Sequence, residues 1–456
     1  MQTKNNLKGS KNTVKSTKKT VKKKVEKTTL LLDKKEKKKD SFFTKMKNYF
    51  CDDSYEEIPE EDNSFFTTVE VVVIIIISIL FGVVLGYMLT YSNSPFHRVK
   101  HSALDEIVNT YENIIDNYYG ELDEKKLSDA AIKGMIHSLG DPYSSYMDEN
   151  VTEEFNETVD GSFVGIGVTI TPDGDYTKII DIYKNSPALE VGLQVDDKII
   201  KVEGTDVAGF NGDQLSQLIR GKKGTKVTIT ILRGEEEFEY TLTRGTIDLI
   251  SVSGEVLESD EKKIGYIRIT SFASNTYDQF EEKLKELEGN DITSLIIDVR
   301  DNPGGHLLQT KQILSMFFSK KTVLYQVETK KKKQNAYSLT KESRKYPVVV
   351  LMNSASASAS EILASCFQEN YKKAYLIGTQ TYGKGTVQKS ENLQNGTSIK
   401  FTTQKWLSSK GVWYNNEGVK PDIEVELAEE YYQNPIREND NQFQEAITKI
   451  KELYEK

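Results

Sequence analysis

Val71 to Leu89 (VVVIIIISILFGVVLGYML) is a run without a single charged side chain. As a helix it is roughly 28 Å long, the thickness of a hydrocarbon core. It is apolar on every face and longer than a typical buried helix. It also lies further from the N-terminus than the apolar region of a cleaved signal peptide. The run therefore predicts a single transmembrane helix over 69–91. Charge is divided around it: residues 1–50 hold about +13, nearly all from lysine, whereas the whole chain carries −9. By the positive-inside tendency, a basic tail over 1–68 stays in the cytoplasm and the body beyond residue ~90 lies outside it, at the cell membrane. The tail has no aromatic interleaving and no recognisable module, so it reads as a solvated disordered segment with no nucleic-acid partner. The two cysteines, Cys51 and Cys366, fall on either side of the apolar run, and packing rather than cross-linking is expected to stabilise the body.

A chain of 456 residues exceeds one ordinary core, and its hydrophobic period changes along its length. Leu104, Ile107, Val108, Tyr111, Ile114 and Ile115 fall at helical spacing, and Leu127 to Leu139 repeats the pattern; this helical segment is placed at 95–150. From 155 to 245 the period is two, with strands expected at Ser162–Ile170, Thr177–Ile182, Lys198–Val202 and Lys226–Leu232 and a short helix at Asp213–Arg220. The glycines of Gly165-Ile166-Gly167 leave backbone N–H groups free to meet a carboxylate. Over 246–430, strands and helices alternate, which argues for an α/β core. Lys330 to Asn335 reads as a lysine-rich surface loop or hairpin tip, and a C-terminal helix is expected over 431–456.

The chemistry concentrates in two short segments. The strand Pro347–Met352 runs into Asn353-Ser354-Ala355-Ser356-Ala357-Ser358-Ala359-Ser360-Glu361, which sets a serine at a strand-to-helix junction. Ser358 and Glu361 also have the spacing of a helix capping box, so Ser358 is open to a purely structural reading. A helix N-terminus nonetheless offers free N–H groups to a developing oxyanion. Further on, Gly383 and Gly385 flank Lys384. A lysine can act as a base only after burial and hydrogen bonding lower its pKa from about 10.4. The turn Asp301-Asn302-Pro303-Gly304-Gly305 can supply oxyanion donors from Gly304 and Gly305, with Ala359 N–H as another. None of the four histidines follows Ser358, which excludes the serine-before-histidine order of the nucleophile elbow. His306 reads as a loop residue. No H-E-x-x-H or paired C-x-x-C occurs, so neither a metal nor another cofactor is called for.

These segments carry two resemblances. The stretch from Gly161 to Gly204, with Gly165-Ile166-Gly167, Ser186-Pro187-Ala188 and Asp196 to Gly204 in order, resembles a PDZ domain, which binds protein C-termini as an added strand. Val350–Ala364, Asp298–Gly305, Gly378–Gln388 and Ile399–Val425 resemble the carboxyl-terminal processing peptidases, over about 97–450. That resemblance implies a multidomain α+β protein. A PDZ domain would precede an α/β, crotonase-like serine protease core, and helical segments would flank both. It implies Ser358 as nucleophile, Lys384 as base, Gln388 as the residue that positions the lysine, and Thr381 and Glu361 in support. Lys384 and Gln388 can cooperate only if the backbone bends at Gly385. The implied partners are polypeptides with free C-termini, an activating protein and further copies of the chain. The rival reading, an inactive membrane-tethered PDZ scaffold, leaves the combination of Ser358, Lys384 and Gln388 without a purpose.

Overall fold

The computed structural model describes residues 68–92, 102–259, 262–340, 344–393 and 395–454. The basic tail up to residue 67, Cys51, His97 and His101 lie outside them. The chain divides into two compact units, with the boundary at Ile114. The first contains helix α1 (Thr68–Ser92) and the start of α2 (Ser102–Asn117). Within α1, Val69–Met88 has a mean hydropathy of 2.9 and no buried residue, long and apolar enough to cross a membrane.

The second unit begins with α3 (Glu124–His137), β1 (Ser145–Met147) and α4 (Glu149–Asp160). Asp123 and Asp148 cap the two helices by accepting from backbone N–H groups of the first turn. The period-two region then gives β2 (Ser162–Gly165), β3 (Val168–Asp173), β4 (Tyr176–Ile182), α5 (Pro187–Glu190), β5 (Lys198–Val202), β6 (Thr205–Asp206), α6 (Gly212–Ile219), β7 (Lys226–Arg233), β8 (Glu236–Thr243) and β9 (Gly245–Asp248). The single strand expected over 162–170 is two strands in different sheets. Ile166 turns inward at 2 % exposure and Gly167 takes φ 82°, so β2 pairs with β9 while β3 pairs with β4. The main sheet of this domain runs β3-β4-β5-β7-β8, leaving β3 at an edge beside α6. The domain enters and leaves the core at one point. Leu249 N–H donates to Gly161 O at 2.8 Å, and Asn275 Nδ2 donates to the same carbonyl at 2.7 Å.

The core continues with β10 (Val252–Ser259), β11 (Lys262–Ile269), α7 (Thr276–Gly289), β12 (Ser294–Asp298), α8 (Leu307–Ser315), β13 (Val323–Thr329), β14 (Lys333–Tyr337), β15 (Val348–Met352), α9 (Ala359–Asn370), β16 (Ala374–Gly378), β17 (Thr386–Asn392), β18 (Ser398–Leu407), β19 (Ile423–Glu424), α10 (Glu429–Gln433) and α11 (Asn441–Tyr454). One sheet has the order β10-β11-β12-β15-β16-β19 and is parallel from β11 onward. Every residue of β15 is fully buried, because its two faces meet different layers. Val348 and Val350 pack with Phe280, Leu314 and Phe367 of α7, α8 and α9; Val349 and Leu351 pack with Phe443 and Ile450 of α11. A second, antiparallel sheet runs β1-β18-β13-β14, with β17 also on β18. Beneath the carboxyl end of β12, buried Arg300 binds Asp298 at 2.7 Å and Asp440 at 2.8 Å, which fastens the segment entering α11 to the sheet.

Candidate active site

β12, β15 and β16 are neighbouring parallel strands, so the loops leaving their carboxyl ends converge on one edge, the usual place for a site in such a sheet. After β15, Asn353 N–H donates to Ser356 Oγ at 3.0 Å, and buried Ser356 Oγ donates to Val299 O at 2.8 Å. Ser358 follows with φ 54° and ψ −108° and opens α9. Side chains rarely adopt that backbone conformation. On a strand-to-helix turn, such strain presents a hydroxyl at the head of the helix.

Glu361 is wholly buried and binds two segments together. Its Oε2 accepts from Ser358 N–H at 2.7 Å and from Lys384 N–H at 2.9 Å. Its Oε1 accepts from Gly383 N–H and from Thr381 Oγ1, both at 2.7 Å. Thr381 Oγ1 in turn accepts from Val419 N–H at 2.7 Å. One carboxylate thus sets the serine turn against the lysine loop, a larger task than capping a helix.

Lys384 is held by its backbone. Beyond the bond to Glu361, its carbonyl accepts the indole N–H of buried Trp406 at 2.7 Å. Its ammonium lies 4.9 Å from the ring centroid of Tyr143. Burial first, and then the like charge of Lys400, lower its pKa from the ordinary lysine value, against the pull of Glu361 and Asp141. Tyr143 is itself pushed up to about 12 by burial and by neighbouring Tyr382, so it offers the lysine a neutral ring. Burial alone would raise Asp141, but hydrogen bonds from Ser144, Thr402 and the Tyr143 N–H hold its carboxyl below the usual range.

The resemblance implies that Gln388 positions Lys384; the structure gives its amide other hydrogen-bond partners. β17 starts at Thr386 and bulges between Val387 and Gln388, and the Gln388 amide donates instead to Thr386 Oγ1 at 2.9 Å and Thr402 Oγ1 at 3.0 Å. Thr402 Oγ1 passes the chain on to Asp141 Oδ2 at 2.6 Å. Among the described residues Lys384 Nζ has no hydrogen bond to Gln388 or to Ser358.

Of the candidate oxyanion donors, Gly304 N–H is already taken, donating to Asn302 Oδ1 at 2.8 Å. What Gly304 contributes is space: at φ 102°, a Cβ there would lie 2.7 Å from Ala357 O and 2.9 Å from Ala359 N. Gly305 N–H and Ala359 N–H meet no acceptor among the described residues. Sequence reasoning passed over Asn302. Wholly buried, it donates to Ile269 O at 2.9 Å, and its carbonyl accepts from Ala357 N–H at 3.0 Å and Ser360 Oγ at 2.9 Å. Its only sequence signal was membership of a turn. His306 precedes α8, with Nε2 within hydrogen-bond reach of Val159 O and Ser274 Oγ and no link to Ser358.

Ser358 and Lys384 open into a cleft of about 370 Å³ with apolar walls from Phe155, Val159, Leu307 and Val387. Apart from it, Gly165 is absorbed into the β2–β9 ladder opposite Gly245, so the open loop is Ile166-Gly167. Their carbonyls accept from Ala188 and Tyr183 N–H, while their own N–H groups have no acceptor among the described residues. Those amides stand at the head of the edge strand β3, where a peptide C-terminus can add.

Comparison with known proteins agrees with this division of the chain. The model for peptidase family S41 matches residues 263–425, the PDZ domain model 178–233, and the activating protease CtpB N-terminal domain model 89–151. The carboxy-terminal processing protease CtpA of Bacillus subtilis (strain 168) is 38 % identical over 349 residues, covering 76 % of this chain and 74 % of that protein. CtpB of the same strain is 35 % identical over 343 residues, covering 74 % and 71 %. A probable CtpA-like serine protease of Staphylococcus epidermidis (strain ATCC 12228 / FDA PCI 1200) is 32 % identical over 366 residues, covering 80 % and 74 %.

Proposed function

The chain belongs to the carboxy-terminal processing serine peptidases of family S41, and from that premise we propose that it is a membrane-anchored endopeptidase using a serine–lysine mechanism on polypeptides outside the cytoplasm. The observation that carries this reading is the shared carboxylate of Glu361, which ties the backbone of Ser358 to that of Lys384. Ser358 Oγ attacks the scissile carbonyl while Lys384, as the neutral amine, takes its proton. Gly305 and Ala359 N–H stabilise the oxyanion. Lys384 then returns the proton to the leaving amine, and water releases the acyl group. With its ammonium against Tyr143, Lys384 is in a resting position; a side-chain rotation brings it to Ser358, since its backbone is fixed.

The PDZ domain captures the substrate C-terminus on β3, with its carboxylate at the Ile166 and Gly167 amides. Helix α1 anchors the body with the lysine-rich tail in the cytoplasm, a reading supported by its length and by the charge before it. The match to the CtpB N-terminal domain supports an activating partner. Full-length protein in detergent micelles, beside Ser358→Ala and Lys384→Ala, is incubated with an unstructured protein ending in apolar residues. Cleavage by the parent alone is expected. Tail binding without cleavage, with and without candidate activators, leaves only the scaffold reading.

A further inference from the structure

Two polar side chains in the cleft take no direct part in the bond-making and proton-transfer steps above. Lys400 of β18 and Ser390 of β17 are antiparallel register partners, so they stand side by side on one face of the sheet, with Cβ atoms about 5 Å apart. Both line the cleft that holds Ser358 and Lys384. Ser390 Oγ is buried with no hydrogen-bond partner, a state it shares with only three other side-chain atoms among the described residues, none of them in this cleft. A buried hydroxyl without a partner is uncommon enough to require a reason. Lys400 is half-buried and enters no ion pair among the described residues; its ammonium lies 5.2 Å from the ring centroid of Phe155. The cleft lining includes two lysines and no carboxylate side chain. It is a cationic pocket with an idle donor at its wall.

We propose that Lys400 and Ser390 form a carboxylate subsite, which receives an acidic group of the bound polypeptide near the scissile bond. Lys400 Nζ and Ser390 Oγ would both donate to the incoming oxygens, and the ammonium would exchange its contact with the Phe155 ring for a charge-assisted bond. The chemistry is that of a carboxylate, whether an aspartate or glutamate side chain or the free end of a short substrate. The subsite makes the enzyme selective for acidic sequence at one position, separately from capture of the C-terminus by the PDZ domain. The inference rests on the reading of this cleft as the peptidase site.

The test uses full-length protein in detergent micelles and a parent peptide whose cut site is mapped by mass spectrometry. Variants place glutamate or glutamine at each position flanking the cut, each with a C-terminal acid or amide. At one position, glutamate is expected to exceed glutamine in kcat/KM by roughly tenfold or more, the scale of a hydrogen bond to a charged group. Lys400→Gln removes that preference, and Ser390→Ala reduces it. Lys400→Glu reverses it in favour of lysine, a result that misfolding cannot produce. If the acid-over-amide preference is what Lys400→Gln abolishes, the carboxylate is the chain terminus; a terminal preference surviving in Lys400→Gln belongs to the PDZ domain. A glutamate preference unchanged in Lys400→Gln, or cleavage indifferent to charge at every position, overturns the subsite. Anisotropy measurements of the same peptides on Ser358→Ala and on Ser358→Ala/Lys400→Gln read the subsite without turnover. Failure of all cleavage therefore counts against the peptidase reading, and binding indifferent to Lys400 counts against the subsite.

Discussion

The turns of the candidate active site and the edge of the PDZ domain are both strand ends followed by small residues, yet they treat backbone polar groups in opposite ways. Around Ser358 and Lys384 nearly every N–H is assigned: four donors meet on Glu361, Asn302 takes Gly304, and Trp406 holds the Lys384 carbonyl. The Gly305 and Ala359 amides meet no acceptor among the described residues. At the PDZ edge the N–H groups of Ile166 and Gly167 have no acceptor, and β3 has no strand partner on its outer side, among the described residues. Chemistry needs donors fixed before the substrate arrives, whereas a peptide groove gains its affinity from bonds that the peptide completes. Changes in the first region should abolish turnover; changes in the second should weaken capture and spare chemistry.

The largest effect is expected for Glu361→Gln. The amide turns an N–H group toward donors that had shared a carboxylate, and at least one buried donor is left without a partner. Turnover should fall on the order of 10²–10³-fold, as the serine turn and lysine loop lose their common reference. The denaturation midpoint should shift by the equivalent of about 3 kcal/mol. Retention of activity within tenfold would show that the two loops are located by something other than this carboxylate.

Two glycines allow the comparison to be made directly. Gly304→Ala sets a Cβ 2.7 Å from Ala357 O at φ 102°, and Gly167→Ala sets one 2.3 Å from the Cβ of Ser186 at φ 82°. Both should destabilise their domains by roughly 1–3 kcal/mol. Only Gly304→Ala should slow acylation of Ser358 by a small active-site phosphonate, by about 10²-fold. Gly167→Ala should weaken binding of C-terminal peptides and leave that reaction alone. Equal loss of acylation in both variants would break the distinction.

How far each region could be read from sequence follows from the range of its interactions. β5 was legible to the residue, and β7 nearly so, because short segments rich in valine and isoleucine are a local strand signal. β8 (EEFEYTLT) was passed over although Phe238, Tyr240 and Leu242 alternate with Glu239, Thr241 and Thr243, the period of a half-buried strand. Ser358 and Lys384 could be named as candidates from small-residue segments and their resemblance to a family, and Glu361, which holds both backbones, was visible at its capping distance. Its second grip, on a loop more than twenty residues away, was not. Asn302 and Arg300 act through partners as distant as Ala357 and Asp440, and no local pattern marks such residues. Lys400 and Ser390 did leave a signal: with Thr386, Gln388 and Thr402 they make a polar stripe at alternate strand positions, which reads as solvent-facing until the two strands are paired.

A smaller, directional effect concerns pH. In the proposed serine–lysine mechanism Lys384 must be neutral to accept the serine proton, so kcat/KM should rise with pH through its pKa. That rise should fall below the ordinary lysine value of 10.5, since burial and then Lys400 disfavour the ammonium. Lys400→Gln removes the like charge and leaves Glu361 and Asp141 in place, which should move the acid limb to higher pH. Peptide binding at the PDZ edge involves neither lysine and should be level across the same interval. An acid limb that does not move in Lys400→Gln would assign the lowered pKa to burial alone.

The smallest effect is expected at Tyr143, and its sign is informative. The neutral ring beneath Lys384 favours the charged amine in its resting position by a cation–π contact of about 1 kcal/mol. Tyr143→Leu keeps much of the packing and removes that attraction, so the neutral amine, free to reach Ser358, becomes more populated. A rise of about fivefold in kcat/KM at neutral pH is expected from an energy of this size, with no change in peptide affinity at the PDZ edge. A fall in kcat with unchanged KM would mean instead that the ring guides the lysine during the reaction. In that case Tyr143 belongs with Glu361 and Asn302 among the fixed parts of the catalytic region, and the rotation of Lys384 is not what limits turnover.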